Sequence, residues 1–213
     1  MSAKGAVREP QQDRSRETFG RLLSATIRVL NERGLDGASI PQIAVAAGVA
    51  PAGVYRRFAD KDALFKAAFL QVLRQSNEAN PRHLRTAVLR KTLASTAERL
   101  IAVLFDQYRS HGHLLRALSR FIDASRDQAF VQQARSLNAE NVQNLVNIVL
   151  VHKAHINHSS PAYAVRFAVL HALSSIEAIA LEPGSVWHAV FPATTEDELQ
   201  RELVRSFLSY LQM

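Results

Sequence analysis

Residues 39–64 read SIPQIAVAAGVAPAGVYRRFADKDAL, and this stretch decides the fold. Ser39 and Gln42 have the Ser-x-x-Gln spacing of a capping box, in which two side chains satisfy amides that open a helix. Ile43, Ala46 and Ala47 follow as apolar residues at helical spacing. Gly48 supplies the backbone freedom that ends this helix and turns the chain. Pro51 suits a first helical position, where no N–H is needed, so a second helix starts there. Asp60 caps a third helix, with Asp62 in its first turn, where the helix dipole favours negative charge. Two short helices joined by a glycine turn make a helix-turn-helix, a motif that places its second helix in the major groove of DNA.

The side chains of the second helix suit that placement. Ala50, Ala52 and Gly53 carry little bulk, so the helix can approach base edges closely. Tyr55 offers a hydroxyl, and Arg56 and Arg57 offer charged forks, for phosphate or guanine. Lys61 stands at the start of the next helix, where free amides already favour phosphate. With Ser39, these residues form the expected DNA-contacting set. Val49, Val54 and Phe58 are expected to face inward and hold the motif together.

From about Ser15 to Ala68 the chain resembles the N-terminal domain of the TetR family of bacterial transcriptional regulators, in its AcrR-like branch. The resemblance implies that Pro51 to Arg57 is the recognition helix and that Tyr55 and Lys61 contact phosphate. Two positions depart from the family pattern. Ala50 stands where Ser or Thr is usual, so the recognition helix lacks a side-chain cap, and Pro41 stands where a basic or polar residue is common.

Composition agrees with a soluble, DNA-binding chain. Of 213 residues, 47% are hydrophobic and 21% charged, enough for a small domain and a larger one. Residues 1–75 hold 12 Lys+Arg against 7 Asp+Glu, so +5 of the +7 net charge lies in about a third of the chain. Such a basic patch suits a polyanion. The chain has no cysteine, which excludes disulfides, thiol catalysis and cysteine-based metal sites. The first residues lack the apolar core of a signal peptide. The apolar run from Ala162 to Leu181 contains Arg166, His171 and Glu177 and reads as a poor membrane span, so a cytoplasmic location is expected.

The fold expected is all-α, with about nine helices. Residues 1–13 form a flexible basic arm, 14–75 the helix-turn-helix domain, and 76–213 a helical bundle for ligand sensing and dimerisation. The boundary is set at the polar break Ser76 to Pro81. Helix one is expected over Arg14–Arg33, closed by Gly34, and the helix after the motif over Lys61–Arg74. The bundle helices are expected over Arg82–Ser110, Leu114–Ser125, Gln128–His155, Ala162–Leu181 and Thr195–Leu211. Thr195 and Glu198 form another capping box, and Leu203, Phe207 and Leu211 lie on an apolar stripe. With Phe167 and Leu170 on the preceding helix, this stripe is expected to make a four-helix dimer interface. A homodimer would present two recognition helices to half-sites one DNA turn apart.

In proteins of the resembling family the second domain encloses a small-molecule pocket. Here Tyr108, Phe121, Phe130 and Trp187 are candidate lining residues, with Asn138, Asn141, His171 and Glu177 as polar anchors. A small apolar effector is expected, and no cofactor. His152, His155 and His158 read as solvated histidines near a helix end, with no carboxylate close by in sequence to complete a metal site. No nucleophile elbow or phosphate loop supports an enzyme. The expected function is a repressor released from a palindromic operator by its effector. The alternatives are a DNA-binding protein without effector, an activator, or a corepressor-dependent regulator.

Overall fold

The computed structural model describes residues 9–181 and 186–213, without the side chains of 9–14 and 79–82. The expected basic arm, residues 1–13, therefore lies outside the described side chains. Among the described residues the chain forms ten α-helices, one 3-10 segment and no strand. α1 runs Glu9–Gly37, with helical geometry broken at Gly34 (φ 66°, ψ −172°). α2 (Ile40–Ala47), α3 (Pro51–Tyr55) and the start of α4 (Lys61–Val88) form the helix-turn-helix region. α5 (Leu93–Ser110), α6 (Gly112–Ala124), α7 (Gln128–Val149), α8 (Pro161–Ala180), α9 (Val186–Val190) and α10 (Glu196–Leu211) follow.

The helix expected to stop at Arg74 instead continues through 76–81 to Val88, a span of about 40 Å at 1.5 Å per residue. The polar run is therefore part of a helix and not a loop. On that run, the Asn77 amide donates to Leu137 O at 3.1 Å and to Glu140 Oε2 at 3.0 Å, both on α7. The break comes later, where Thr92 caps α5 by accepting from Ser95 N at 3.2 Å. The single helix expected over Arg82–Ser110 is thus two.

Two apolar cores result, and their division does not follow the expected boundary at residue 76. The first joins α1 to α4 with α6 and the start of α7. Its centre is a cluster of four rings: Phe121 on α6 lies 6.0 Å from Phe65, 5.2 Å from Phe69 and 5.6 Å from Phe130. Each such pair contributes about 0.5–1.5 kcal/mol beyond area burial, so α6 and α7 are packed firmly onto the helix-turn-helix unit. The second core joins the end of α4 (Leu84, Val88) to α5, the later part of α7, α8 and α10.

The apolar stripe of α10 points into this second core. Leu203, Phe207 and Leu211 are 8%, 3% and 0% exposed, which corrects their expected place at a dimer interface. α10 packs between α5 and α8, and its stripe is consumed there. Phe167 and Leu170 on α8 remain 49% and 52% exposed, with Tyr163 one turn earlier at 60%. Tyr210 of α10 adds a ring 5.2 Å from Phe167. By length and composition alone, α8 is the one described helix apolar enough to cross a membrane. Its opposite face is buried in the second core through Val165, Ala168, Val169, Ala172 and Ile176.

α7 gives way at Val149 to the 3-10 segment Leu150–His155. His152 is buried there, its Nε2 2.9 Å from the Thr96 hydroxyl of α5, so it is not the solvated histidine expected. Burial, followed by the neighbouring His155, lowers its pKa from 6.5. His158 accepts from Ser160 N at 3.0 Å and lies against Tyr210. Among the described residues, no three His, Asp or Glu side chains gather as a metal site.

Candidate nucleic-acid interface

The turn between α2 and α3 is built by its glycine. Gly48 takes a left-handed conformation (φ 66°, ψ 40°). Its amide bonds Val45 O at 3.1 Å, and the Val49 amide reaches Ala44 O at 3.0 Å. These are the two reverse bonds of a Schellman closure, and a Cβ at φ 66° would be strained. At the start of α2 the Ser39 amide and hydroxyl both donate to Gln42 Oε1, at 3.0 and 2.9 Å. The Arg28 guanidinium donates to Ala46 O at 2.8 Å and ties the end of α2 to α1.

α3 begins at Ala50 without a side-chain cap, as the alanine requires, and is helical only to Tyr55. Val54 is buried, Phe58 is buried and stacks on Phe19 with centroids 5.3 Å apart, and Val49 is half-buried. Ala50, Ala52, Tyr55, Arg56 and Lys61 are exposed together around α3 and the tip of α4. Three members of the expected contact set are not on that surface. Gly53 is buried, and a Cβ there would meet Val49 Cβ and Arg56 Nη2 at 3.7 Å each, an ordinary contact distance. Arg57 is half-buried, with Nη1 donating to Gly53 O at 3.2 Å. That bond closes the end of α3 and turns the guanidinium back onto the motif. Ser39 is half-buried with its hydroxyl engaged by Gln42.

Lys61 occupies the first residue of α4, its Nζ 5.1 Å from the centre of the Phe65 ring. Asp60 caps the same helix by accepting from Ala63 N at 2.7 Å. The ammonium of Lys61 and the dipole of α4 therefore project the same sign of field beside α3.

A cavity of about 280 Å³ lies at the seam between the two cores, walled by α4, α5, α6, α7 and α8. Of the pocket residues expected from sequence, Tyr108, Asn138, Asn141 and Glu177 border it. A second space of about 240 Å³ adjoins it and shares Tyr108, Asn138 and Glu177. The other four expected residues lie elsewhere. Phe121 and Phe130 are held in the four-ring cluster of the first core. His171 is on the exposed face of α8, stacked on Phe167, and Trp187 on α9 packs against the second core beside Phe191. Leu118 on α6 and Ser174 on α8 also line the cavity. Neither carried a sequence signal, because a leucine on an amphipathic helix and a serine on an exposed face are ordinary residues. Burial, and then the charge of Glu177, push the Tyr108 phenol up to about 12.

Residues 22–68 match Bacterial regulatory proteins, tetR family. The HTH-type transcriptional regulator BetI of Cronobacter sakazakii (strain ATCC BAA-894) is 33% identical over 110 residues, covering 50% of this chain. The chain spans about half the length of that relative (52%). In fold, the chain is similar to a TetR-family regulator from Mesorhizobium loti MAFF303099, with a TM-score of 0.63 and 24% identity over 93% of this chain and 96% of that one. It is also similar to FadR of Bacillus subtilis, solved in complex with stearoyl-CoA, with a TM-score of 0.62 and 16% identity over 90% and 98%. The helix-turn-helix built on the Gly48 closure thus lies in a segment, residues 22–68, that matches the tetR family of bacterial regulatory proteins, and the helical second unit that follows it has the fold of these similar structures.

Proposed function

We propose that the protein is a cytoplasmic repressor that binds a palindromic operator as a homodimer and leaves it when a small molecule occupies the seam cavity. The observation that carries this reading is the course of α4. The helix that starts at Lys61 beside α3 also contributes Val72, Leu73 and Ser76 to the cavity wall. A ligand that changes the separation of α4, α6 and α8 therefore changes the position of the DNA-facing tip, since α6 is bolted to α4 through Phe121. Tyr55 and Lys61 hold phosphate, and Arg56 reaches a base edge. The exposed face of α8 around Phe167 and Leu170 meets its own copy across a two-fold axis.

For release, the ligand must favour the arrangement that cannot bind DNA, and the usual coupling of about 1–3 kcal/mol lowers operator affinity about 5–150-fold. Linkage requires operator DNA to weaken ligand binding by the same factor. The test is to select an operator from random sequence, then titrate compounds that raise the melting temperature into the complex. A palindromic site released by such a compound supports the reading. An asymmetric site, or compounds that fill the cavity without changing operator affinity, defeats it, and tightening of the complex makes the protein corepressor-dependent.

A further inference from the structure

The end of α4 farthest from the helix-turn-helix carries a second concentration of positive charge, and we propose that it binds the phosphate backbone of a second DNA duplex. Between residues 83 and 97 the chain carries Arg85, Arg90 and Lys91 and no Asp or Glu. Arg99 follows on α5, and all four cations are exposed. The fold gathers them at one corner. The Arg90 amide donates to Thr96 Oγ1 at 3.0 Å. The same hydroxyl lies 2.9 Å from His152 Nε2, which brings the 3-10 segment and its exposed Lys153 to that corner. Arg90 Nη2 and Arg99 Nε both donate to Ala87 O, at 2.9 and 3.1 Å, so two guanidiniums meet on one oxygen atom. Among the described residues none of these five cations forms an ion pair. Glu98, the acid next to Arg99, lines the groove toward α10 with Arg201 and Arg205.

Helix capping does not account for the cluster. Arg90 alone donates to the carbonyls of Thr86, Ala87 and Leu89, where α4 ends. The bond from Arg99 is therefore redundant, and like charges stand side by side with no anion between them, an arrangement that phosphate relieves. The planar fork of arginine matches phosphate in a bidentate manner. An exposed row of cations suits an extended phosphate chain, which needs no enclosing pocket. α4 runs about 40 Å from Lys61 to this corner at 1.5 Å per residue, so a duplex held here is not the one beside α3. A bilayer fits less well. Of the large apolar side chains exposed among the described residues, Val151 alone belongs to these segments, too little for the apolar face that anchors a protein in lipid. The contact reads no sequence, because it touches phosphate and not base edges. It depends neither on the effector nor on the symmetry of the operator.

The test saturates the full chain with its selected operator and adds a fluorescent duplex of unrelated sequence at about 50 mM salt, where phosphate contacts are strong. Sedimentation should show both duplexes on one protein, with the second lost as salt rises to about 200 mM. The triple variant Arg85→Gln, Lys91→Gln, Arg99→Gln should bind the second duplex at least about tenfold more weakly, with a salt slope smaller in magnitude by about three. Its operator affinity should not change. Arg90 is kept so that α4 retains its closure, and a melting curve establishes that the variant folds. If it does not, Arg85→Gln with Lys91→Gln should reduce the slope by about two. A parent protein that takes up no second duplex overturns the assignment, as does a variant that takes it up equally well. Phosphatidylglycerol vesicles that bind more tightly than the second duplex and displace it would overturn it in favour of a bilayer. Uptake that falls in Lys61→Ala and not in the triple variant would assign the second duplex to the tip of α4. Should selection return no operator, titration of the free protein with the unrelated duplex still separates parent from variant, so the operator reading and this one fail independently.

Discussion

Lys66 Nζ on α4 and Asp127 Oδ2 at the start of α7 form an ion pair 3.0 Å long between residues 61 positions apart. The same carboxylate caps α7 by accepting from Phe130 N at 3.1 Å, so one side chain both starts a helix and ties it to the DNA-facing unit. The Phe130 amide first, and then Lys66, hold the Asp127 carboxyl below its ordinary value.

Because the folded pKa of Asp127 is lowered, its contribution to stability is present above the unfolded carboxylate value near 3.8 and is lost as pH falls through the folded value. Asp127→Ala removes the cap and the ion pair together, whereas Lys66→Met removes only the exposed pair. Urea unfolding at neutral pH should show the larger loss for Asp127→Ala. Equal losses would mean that the cap contributes nothing.

Lys61→Ala should weaken binding to every DNA sequence about equally and reduce the magnitude of the salt slope by about one. Arg56→Ala should instead alter base preference, costing about 1–3 kcal/mol at the base it reads. Binding isotherms over a salt series, on the selected site and on a scrambled one, check both. An unchanged slope in Lys61→Ala would remove its assignment to phosphate.

The two faces of the α8–α10 layer make opposite predictions. Phe167→Glu places a charge on an exposed ring and should yield a folded monomer with reduced operator affinity. Phe207→Ala opens a cavity in the second core and should cost about 3–5 kcal/mol of stability. Sedimentation and thermal melts distinguish them, and a stable dimer of Phe167→Glu would move the interface away from α8.

His152 has its folded pKa lowered by burial, then by His155. The unfolded state therefore binds the proton more readily. Stability is fully present above the unfolded value near 6.5 and falls as pH drops from there toward the lowered one. Chemical denaturation between pH 7.5 and 5, about a unit and more on either side of that value, should show this slope. His152→Leu should flatten it. An unchanged slope in His152→Leu would assign the effect to other groups.

Sequence alone was enough to recover the helix-turn-helix, the capping residues Asp60 and Thr195, and the inward Val54 and Phe58. These features depend on local physics: helix caps, a glycine with positive φ and apolar spacing act within a few residues of themselves. The fates of Gly53 and Arg57 were less legible, because the orientation of a five-residue helix depends on what it packs against.

Tertiary structure decided the rest. The Ser76–Pro81 segment looked like a linker because its residues are polar, yet Asn77 is buried and donates to Leu137 and Glu140 of a helix some 60 residues on. An apolar stripe states that a face will be covered and does not say by what: the stripe of α10 turned to its own α5 and α8, while Phe167 and Leu170 stayed outside. The phenylalanines at 121 and 130 became core for the same reason, since Phe121 found the rings of Phe65 and Phe69 on α4 within reach and Phe130 found Phe121. What lies at the seam between two cores is set by how five helices meet. Spacing along one chain carries no information on that, because the contacts joining those helices form between residues far apart in sequence.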